Sequence, residues 1–238
     1  MDFYSLSQDE LSIIIGGLLG DGSYHKRDSI IVFSHSIKQK EYIEWKHEKL
    51  SRISNNIIER ITGKSIVTGE DLVNVSFRTK KMPELKSDYN HIRNMIFNQD
   101  GVKEVSRKWL NMLTPMSLAV WWMDDGCLSV HKEKDGRISR YGKLCTHCFS
   151  LEEQYIIKNY FCKVWGIDVK ITPEKNKFFL RFTVPNLKKM FSIIYSYVLE
   201  VPSMIYKINM KYNLDRLSDD DFYKEIQILI NDMIDKNI

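Results

Sequence analysis

The sequence predicts an α+β protein built from two similar halves, each running helix, hairpin, helix, hairpin, helix. The main observation is a repeated phrase, because the apolar runs at 14–22 and 118–126 both end in Asp-Gly. Asp21 and Asp125 are 104 residues apart, which is about the length of one small domain. Alternating apolar residues and turn formers follow each run, as expected of antiparallel hairpins. A duplicated fold is therefore expected.

Two further pairs of residues keep the same spacing. Thr79 and Thr183 end matching predicted strands and are 104 residues apart. Lys103 and Lys207 are also 104 residues apart. Because 35 of the 238 residues are basic, the lysine pair supports the duplication without proving it.

The repeat sets the expected domain boundaries. We predict domains at 1–98 and 114–214, a linker at 99–113 and an unrepeated tail at 215–238. Ser218 is a favourable cap for a helix in the tail, and acidic residues follow it at the favourable end of the helix dipole. An apolar stripe then predicts docking against the body in preference to binding a partner. The stripe consists of Phe222, Ile226, Leu229 and Met233.

In the first half, the Asp-Gly helix begins with a capping box and is apolar on every face. Ser7 and Glu10 have the required spacing, so the helix is expected to run from there to Gly20. The remaining strands are predicted near 22–26, 30–35, 56–61, 64–68 and 72–79, and the helices over 38–52 and 81–98.

In the second half, Thr114 and Pro115 form a favourable helix start, with a capping residue followed by proline at the first helical position. Asp135-Gly136 predicts a hairpin turn. The strands are predicted near 127–132, 138–147, 168–172 and 177–184, and the helices over 114–125 and 150–164. After the last strand, further helices are predicted to finish the half at about 213.

The composition predicts a globular protein with a basic body. Hydrophobic residues make up 43% of the chain and charged residues 28%, which is enough apolar mass for a core. No apolar run approaches the ~20 residues that cross a membrane, and the N-terminus lacks the features of a secretion signal. We therefore expect a protein of the cytoplasm or of an organellar matrix (mitochondrion or chloroplast), neither secreted nor membrane-bound.

The charge is unevenly distributed along the chain. The tail at 215–238 holds three basic and seven acidic residues, so its charge is −4. Because the formal net charge of the whole chain is +4, residues 1–214 carry a charge of +8. A basic body favours a polyanionic ligand, although ordinary variation of surface charge is an alternative.

The four cysteines predict reduced thiols. Cys145 and Cys148 have the two-residue gap of a zinc knuckle, but no second pair follows at ligand spacing. The pair also lies on a predicted strand, where positions three apart point to opposite faces. Free thiols in a reducing compartment are favoured over a zinc site.

The two Asp-Gly helices are expected to pack against each other. Gly16, Gly17 and Gly20 remove side chains from the first helix and permit close approach of a second backbone. Trp121 and Trp122 on the second helix are expected to face the domain core instead. The helix pair would then form the interface between the halves.

This packing would bring Asp21 and Asp125 to the same end of the helix pair. Both lie at helix C-termini, where the helix dipole disfavours a carboxylate. Two such charges ~5 Å apart at an effective dielectric of ~20 repel by roughly 3 kcal/mol. A divalent cation removes that repulsion, and oxygen ligands favour Mg²⁺ or Ca²⁺ over Zn²⁺. The alternative, in which each Asp-Gly only ends a helix, suits one copy better than two at domain spacing.

The predicted strands supply a surface with one apolar and one basic face. In 72–79, for example, Val75 and Phe77 alternate with Ser76 and Arg78. Strand residues in the major groove read base edges, while lysine and arginine hold phosphates. A solvated sheet face is the alternative. The candidate DNA-contacting residues, together with Lys134 in a hairpin turn, are Tyr24, Lys26, Arg27, His35, Asn74, Ser76, Arg78, Lys132, Arg137, Arg140, Lys143, His147, Lys170, Lys177 and Arg181.

These features together resemble a known family. The αββαββα order, the near-equal halves and the paired Asp-Gly helices are similar to those of single-chain, two-repeat LAGLIDADG homing endonucleases. The stretch 113–126, Leu-Thr-Pro-Met-Ser-Leu-Ala-Val-Trp-Trp-Met-Asp-Asp-Gly, is close to the second motif of the intron-encoded yeast mitochondrial type. The resemblance covers about 7–213 and implies two pseudo-symmetric domains packed through the LAGLIDADG helices, with antiparallel sheets forming a DNA-binding saddle.

The resemblance implies a metal site. Asp21 and Asp125 correspond to the family's catalytic, metal-binding acidic residues. Gly20 and Asp124 occupy matching positions beside them, with Asp124 in an auxiliary role. Mg²⁺ is the implied cofactor, with Mn²⁺ as a substitute, and Ca²⁺ is expected to support binding without cleavage.

Two lysines complete the catalytic group that the resemblance implies. Lys103 and Lys207 resemble basic residues that polarise water or stabilise the phosphate transition state. Lys207 ends a Pro-x-x-x-Tyr-Lys pattern that often closes the second repeat. Lys103 matches less closely, because the proline that often follows the first lysine motif is Val105 here.

The implied function is that of a monomeric, Mg²⁺-dependent endonuclease. Members of the family cut both strands of a long, nearly asymmetric DNA site across the minor groove and leave short 3′ overhangs. The alternatives are an RNA-splicing maturase that binds intron RNA, a non-cleaving DNA-binding protein of the same fold, and a metal-binding structural protein. The presence of both aspartates favours the nuclease, because a pure binder gains nothing from their repulsion.

Overall fold

The computed structural model describes residues 5–132 and 138–209, with side chains except at 130–132, 138 and 139. The first half contains three helices and four strands in the predicted order. They are α1 (Gln8–Leu19), β1 (Ser23–His25), β2 (Ile30–Ser36), α2 (Lys40–Lys49), β3 (Ile58–Lys64), β4 (Asp71–Arg78) and α3 (Lys86–Ile96).

The second half repeats that order after a short helix in the predicted linker, α4 (Arg107–Leu110). A 3₁₀ helix, Pro202–Lys207, follows the last α-helix. The repeated elements are α5 (Pro115–Asp125), β5 (Gly126–Lys132), β6 (Ile138–Leu144), α6 (Leu151–Trp165), β7 (Lys170–Glu174), β8 (Lys177–Phe182) and α7 (Val184–Leu199).

Each half folds its strands into one antiparallel sheet of four. The strand order is β1-β2-β4-β3 in the first sheet and β5-β6-β8-β7 in the second, so the topology is the same. Helices pack on one face of each sheet, with α2 against β2 and β4, and α7 against β6. The predicted α+β class and the αββαββα repeat are therefore confirmed, whereas the proposed domain boundaries remain a prediction.

The helices α1 and α5 both begin with a capping box. At α1, Ser7 Oγ accepts the Glu10 N–H at 3.2 Å, and the Glu10 carboxylate accepts the Ser7 N–H at 2.8 Å. At α5, Thr114 and Ser117 make the same reciprocal pair of bonds. Each box satisfies N–H groups that the first helical turn leaves without partners, which fixes where each helix begins.

One predicted strand is wrong. A strand is predicted near 64–68, which includes the β-branched Ile66 and Val67, but the chain turns there between β3 and β4. The Ser65 N–H donates to the Glu70 carbonyl at 2.8 Å, and Gly69 has φ +72°. Glycine adopts this left-handed conformation without strain, so the turn chemistry overrides strand propensity. Both β-branched side chains are fully exposed.

Some expectations lie outside the described residues. They are the turn at Asp135-Gly136 and the acidic helix at 215–238. In the part of the chain that is described, no helix combines the length and the apolar character needed to span a lipid bilayer.

The helices α1 and α5 form the seam between the halves and run side by side in the same direction. Near their starts, Thr114 Oγ1 donates to Ser12 Oγ at 2.8 Å. Further along, a Cβ atom on Gly16 would lie 2.2 Å from the Ser117 carbonyl oxygen, so only glycine fits there. The predicted close approach of the two backbones is confirmed at this position.

Gly17 does not face the seam. A Cβ atom on it would lie 2.4 Å from the Phe33 ring, so this glycine gives room to the sheet of its own half. Trp121 and Trp122 are fully buried, and Trp121 stacks on Phe161 in the second half. Their predicted direction toward the domain core is confirmed.

Candidate active site

The seam helices bring the two Asp-Gly motifs together at their C-terminal ends. A Cβ atom on Gly20 would lie 2.5 Å from Asp124 Cβ, so the two helix ends are in contact. The main-chain N–H of Asp21 donates to Asp124 Oδ2 at 3.2 Å. Residues 103 positions apart in sequence thus meet in one site.

Asp124 is buried, and it binds two side chains of α2. Lys46 Nζ donates to Asp124 Oδ1 at 2.7 Å, and neither side chain has any exposed surface. The Tyr42 hydroxyl donates to the same oxygen at 2.9 Å. The second half's Asp124 is therefore held by the first half, because α2 packs beside the seam.

His35 connects this ion pair to Asp21. Its Nε2 lies 3.1 Å from Lys46 Nζ, and its Nδ1 lies 3.5 Å from Asp21 Oδ2. Burial, followed by the charge of Lys46, lowers the pKa of His35 to about 4, so the ring is neutral at pH 7. Since Lys46 can only donate, Nε2 accepts and the ring proton is on Nδ1, facing Asp21.

The two aspartates of the Asp-Gly motifs have raised pKa values. Burial, followed by the charges of Asp124 and Asp21, raises the pKa of Asp125 to about 8. Burial and the charge of Asp124 also raise the pKa of Asp21, although 46% of its side chain is exposed. Three carboxylates therefore share a partly desolvated site in which one direct ion pair, Lys46 with Asp124, balances one charge.

The lysines that are 104 residues apart approach this site in different ways. Lys207 Nζ donates to the Gly126 carbonyl at 2.7 Å. Lys103 Nζ instead lies 5.7 Å and 5.9 Å from the ring centroids of Trp109 and Phe149. Burial lowers the pKa of both ammonium groups, and both interact electrostatically with the two motif aspartates.

Carboxylate oxygens at this end of the two helices fit a hard divalent cation, whereas the His35 ring holds Lys46 and Asp21. One carboxylate oxygen each from Asp21 and Asp124 and one ring nitrogen of His35 lie within 4.8 Å of one another. Among residues 5–132 and 138–209, Cys145 and Cys148 are free thiols that lie outside this group. A divalent cation bound there would offset the repulsion among the carboxylates.

A comparison with known protein families identifies the family of this chain. The model of the LAGLIDADG DNA endonuclease family matches residues 11–190, which is about three quarters of the chain. The chain belongs to this family.

Three relatives match this LAGLIDADG protein over part of their length. Protein RecA of Mycolicibacterium chitae is 29% identical over 217 residues, covering 86% of this chain and 47% of that protein. Cytochrome b mRNA maturase bI2 of Saccharomyces cerevisiae is 27% identical over 214 residues, covering 85% and 48%. The chain thus spans about half the length of these relatives. A probable intron-encoded DNA endonuclease 3 of Mycosarcoma maydis is 34% identical over 102 residues, covering 43% and 68%.

Solved structures share the LAGLIDADG fold. The homing endonuclease I-WcaI bound to its DNA recognition sequence has a TM-score of 0.72 and 22% identity, covering 88% of this chain and 89% of that one. I-GzeII in complex with a DNA target has a TM-score of 0.51 and 12% identity, covering 95% and 97%. The resemblance to single-chain homing endonucleases is therefore confirmed at the level of fold.

Tyr42 and Lys46 are site residues that the sequence did not reveal. They lie four positions apart on α2, so they share one helix face, and that face is buried. A lysine on the apolar face of a short helix is the signal that could have singled out Lys46. Its partner Asp124 could not have been found this way, because 78 residues separate the pair.

On the first sheet, the outward face carries several of the candidate DNA-contacting residues of the LAGLIDADG protein. Arg78 is exposed, and Asn74 and Ser76 are half-buried. Lys26 and Arg27 are exposed beyond β1, and Lys26 Nζ donates to the Gly101 carbonyl. The strand register adds Ser34, Ser36 and Arg60 to this face, opposite Ser76 and Asn74.

Tyr24 and His35 do not lie on that outward face, which corrects the expectation that they contact DNA. Tyr24 is buried opposite Ile31, and its hydroxyl donates to the Tyr89 carbonyl at 3.0 Å. His35 has the same parity along β2 as buried Ile31, so its side chain points into the molecule. Alternation of side chains along each strand could have shown that both residues point inward.

On the second sheet, an acidic residue occupies part of the basic face. Glu174 binds Lys143 Nζ at 2.6 Å and His147 Nε2 at 2.7 Å. Arg181 lies 4.1 Å from the Tyr141 ring centroid. Exposed candidates are Arg140, Lys170 and Lys177, although Arg140 shares strand parity with core residues Gly142 and Leu144. The side chain of Lys132 and all of Lys134 and Arg137 lie outside the described residues.

Proposed function

We propose that this chain is a site-specific endonuclease that cuts both strands of double-stranded DNA with the help of a divalent metal ion, Mg²⁺ in the first instance. The observation that carries the proposal is the seam itself. One chain brings Asp21 and the Asp124-Asp125 pair to the same end of two parallel helices. The carboxylates repel one another there, and the family to which the chain belongs is one of DNA endonucleases.

Asp21 and Asp125 would hold the metal, which when bound activates water and stabilises the leaving oxygen. Burial, followed by the charges of neighbouring aspartates, raises the pKa of both carboxyl groups. Lys103 and Lys207 would stabilise charge that develops on the phosphate. Burial lowers the pKa of each lysine, but Asp125 and Asp21 oppose that effect in both cases.

The outward faces of the two sheets would bind the DNA. Basic and hydroxyl side chains on these faces would hold phosphates and contact base edges. We propose Arg78, Lys170 and Lys177 as exposed contacts. Because a single chain carries both motif aspartates, a monomer is the expected active form, acting in the cytoplasm or in an organellar matrix.

Selection of cleaved sites from a randomised duplex library tests the proposal. With Mg²⁺, one long sequence should be recovered with breaks in both strands, and Mn²⁺ should substitute. With Ca²⁺ the same sequence should be bound and remain intact. A library that stays uncut in Mg²⁺, or is cut without sequence preference, would contradict the proposal.

A second candidate is splicing of an intron RNA. It is favoured by the name of the yeast relative, a cytochrome b mRNA maturase that is 27% identical over 214 residues. A maturase would bind its intron RNA tightly and promote splicing, and it would leave the intronless gene intact in Mg²⁺. Measuring both activities on the same preparation separates the two functions, including the case in which both are present.

A further inference from the structure

The proposed reaction does not use the ammonium of Lys46. The Lys46 side chain is fully buried, and its Nζ binds Asp124 Oδ1 at 2.7 Å and His35 Nε2 at 3.1 Å. The ring centroids of Tyr42 and Phe33 lie 4.1 Å and 5.3 Å from the same nitrogen. Lysine is rarely buried unless paired, so this cation has a fixed place beside the metal site without access to substrate.

Both oxygens of the Asp124 carboxylate accept hydrogen bonds from the protein. Its Oδ1 accepts from Lys46 and Tyr42, and its Oδ2 accepts the main-chain N–H of Asp21 at 3.2 Å. Both carboxylate oxygens thus have protein donors, and the Lys46 charge neutralises the group. Asp124 is therefore fixed by the first half, and it in turn supports the main chain at Asp21.

This support serves only one of the two motif aspartates. The helix α1 ends at Leu19, so the N–H of Asp21 lies beyond the helix and needs an acceptor from outside. The helix α5 includes Asp125, whose N–H belongs to the helical ladder. Gly20, the counterpart of Asp124, has no side chain that could reach back across the seam.

We propose that Lys46 is a positioning residue for the Asp21 half of the site, acting through Asp124. Lys46 holds the Asp124 carboxylate, and Asp124 holds the main chain at Asp21, so the Asp21 carboxylate is presented to the metal in a fixed position. The inference rests on the proposed function. It adds that cleavage of one DNA strand of the target depends more than cleavage of the other on the buried Lys46–Asp124 ion pair.

Paired variants test this without leaving a buried charge unpaired, which would destabilise the protein. Lys46→Met with Asp124→Leu removes both charges and the acceptor of the Asp21 N–H. Lys46→Met with Asp124→Asn removes the charges but keeps an amide oxygen in reach of that N–H. The matched control is Lys40→Met with Glu44→Leu, an exposed pair on the same helix, 3.9 Å apart. Near-ultraviolet circular dichroism should show all three variants folded.

The first readout is strand-resolved cleavage of a supercoiled plasmid that carries the selected site. In the leucine pair, cleavage of one strand should slow about 10–100-fold, the usual cost of losing an outer partner of a metal ligand, and nicked circles should accumulate. The asparagine pair should slow that strand less, and the control pair should match the unchanged protein. Equal slowing of both strands, or identical behaviour of the leucine and asparagine pairs, would overturn the proposal.

The second readout is Mn²⁺ affinity, measured by electron paramagnetic resonance without DNA. The leucine pair should bind the ion about 10–100-fold more weakly, because the Asp21 ligand loses its support. An unchanged affinity would contradict the role of Lys46. If the unchanged protein leaves every duplex intact in Mg²⁺, the proposed function fails, but the Mn²⁺ titration still decides whether Lys46 positions Asp21.

Discussion

The two halves of the molecule share one topology but not one chemistry. Their strands follow the same order, and their seam helices begin with the same type of cap. Where the helices end, however, the first carries Gly20 and the second carries Asp124. A Cβ atom on Gly20 would lie 2.5 Å from Asp124 Cβ, so the seam has room for one side chain. Close packing of a duplicated scaffold therefore forces an asymmetric site.

The second hairpin of each half, β3–β4 in the first and β7–β8 in the second, differs as well. In the first half, β3 is exposed along its whole length, and its turn presents Ile66 and Val67 to solvent. In the second half, β7 and β8 are joined by a tight turn in which Lys175 has φ +55°. The two sheets therefore present different outward surfaces despite their equal topology.

The largest expected effect tests whether both halves are needed for cleavage. Asp21→Asn and Asp125→Asn should each abolish double-strand cleavage, by more than the ~10–100-fold that loss of an outer partner costs. Each change removes a proposed metal ligand while keeping the side-chain shape. Cleavage of the selected site in Mg²⁺ is the measurement, and DNA binding in Ca²⁺ is the control. Cleavage surviving in the double variant would refute the site assignment.

Replacing Lys207 and replacing Lys103 should both slow cleavage but should lower stability by different amounts. Lys207→Met removes the donor to the Gly126 carbonyl, so it should lower the free energy of unfolding by about 1.5–3 kcal/mol as well as slow cleavage. Lys103→Met should slow cleavage with a smaller loss of stability, because Lys103 packs beside aromatic rings. Urea unfolding and cleavage rates of both variants provide the comparison. Equal losses of stability would show that the two lysines are equivalent after all.

The seam glycine offers a purely steric test. Gly16→Ala places a methyl group 2.2 Å from a main-chain oxygen of the partner helix, which should cost about 1–3 kcal/mol of stability. Gly63→Ala is the matched control, because a Cβ atom there meets nothing within 4 Å. Urea unfolding should show the difference between the two variants. A Gly16→Ala protein as stable as the control would mean that the helices do not pack this closely.

The smallest expected effect is on the stability of the protein at acid pH. Burial acts to raise the pKa of Glu10, but bonds from Arg52 and Ser7 outweigh it and leave the pKa below its ordinary value. The folded state thus binds this proton less readily than the unfolded state, so the stabilisation is complete above the ordinary pKa of 4.5 and is lost as the pH falls below it. The neutral cap of α5, Thr114 with Ser117, has no such dependence.

Unfolding experiments between pH 3 and pH 7 check this difference between the two caps. Glu10→Gln should flatten the acid side of the stability profile, whereas Ser117→Ala should lower the whole profile without changing its slope. A Glu10→Gln profile parallel to that of the unchanged protein would show that this carboxylate does not contribute to acid sensitivity.

The sequence alone determined the repeated architecture and its anchors. The 104-residue spacing of Asp21 and Asp125, the capping residues and the alternation along the strands predicted the elements and their order. These signals are local, because they depend on helix and strand periods and on the preferences of single residues at caps and turns. For the same reason alternation, applied to every residue, would have placed Tyr24 and His35 inside.

Only the tertiary structure decided how the site is held together. Lys46 and Tyr42 meet Asp124 from 78 and 82 residues away, and the N–H of Asp21 reaches it from 103 residues away. No periodicity encodes such contacts, since they depend on how closely two helices approach and on which side of the seam α2 packs. The missing Cβ of Gly20 permits that approach, and the approach determines which carboxylate is paired and which aspartates remain for a metal.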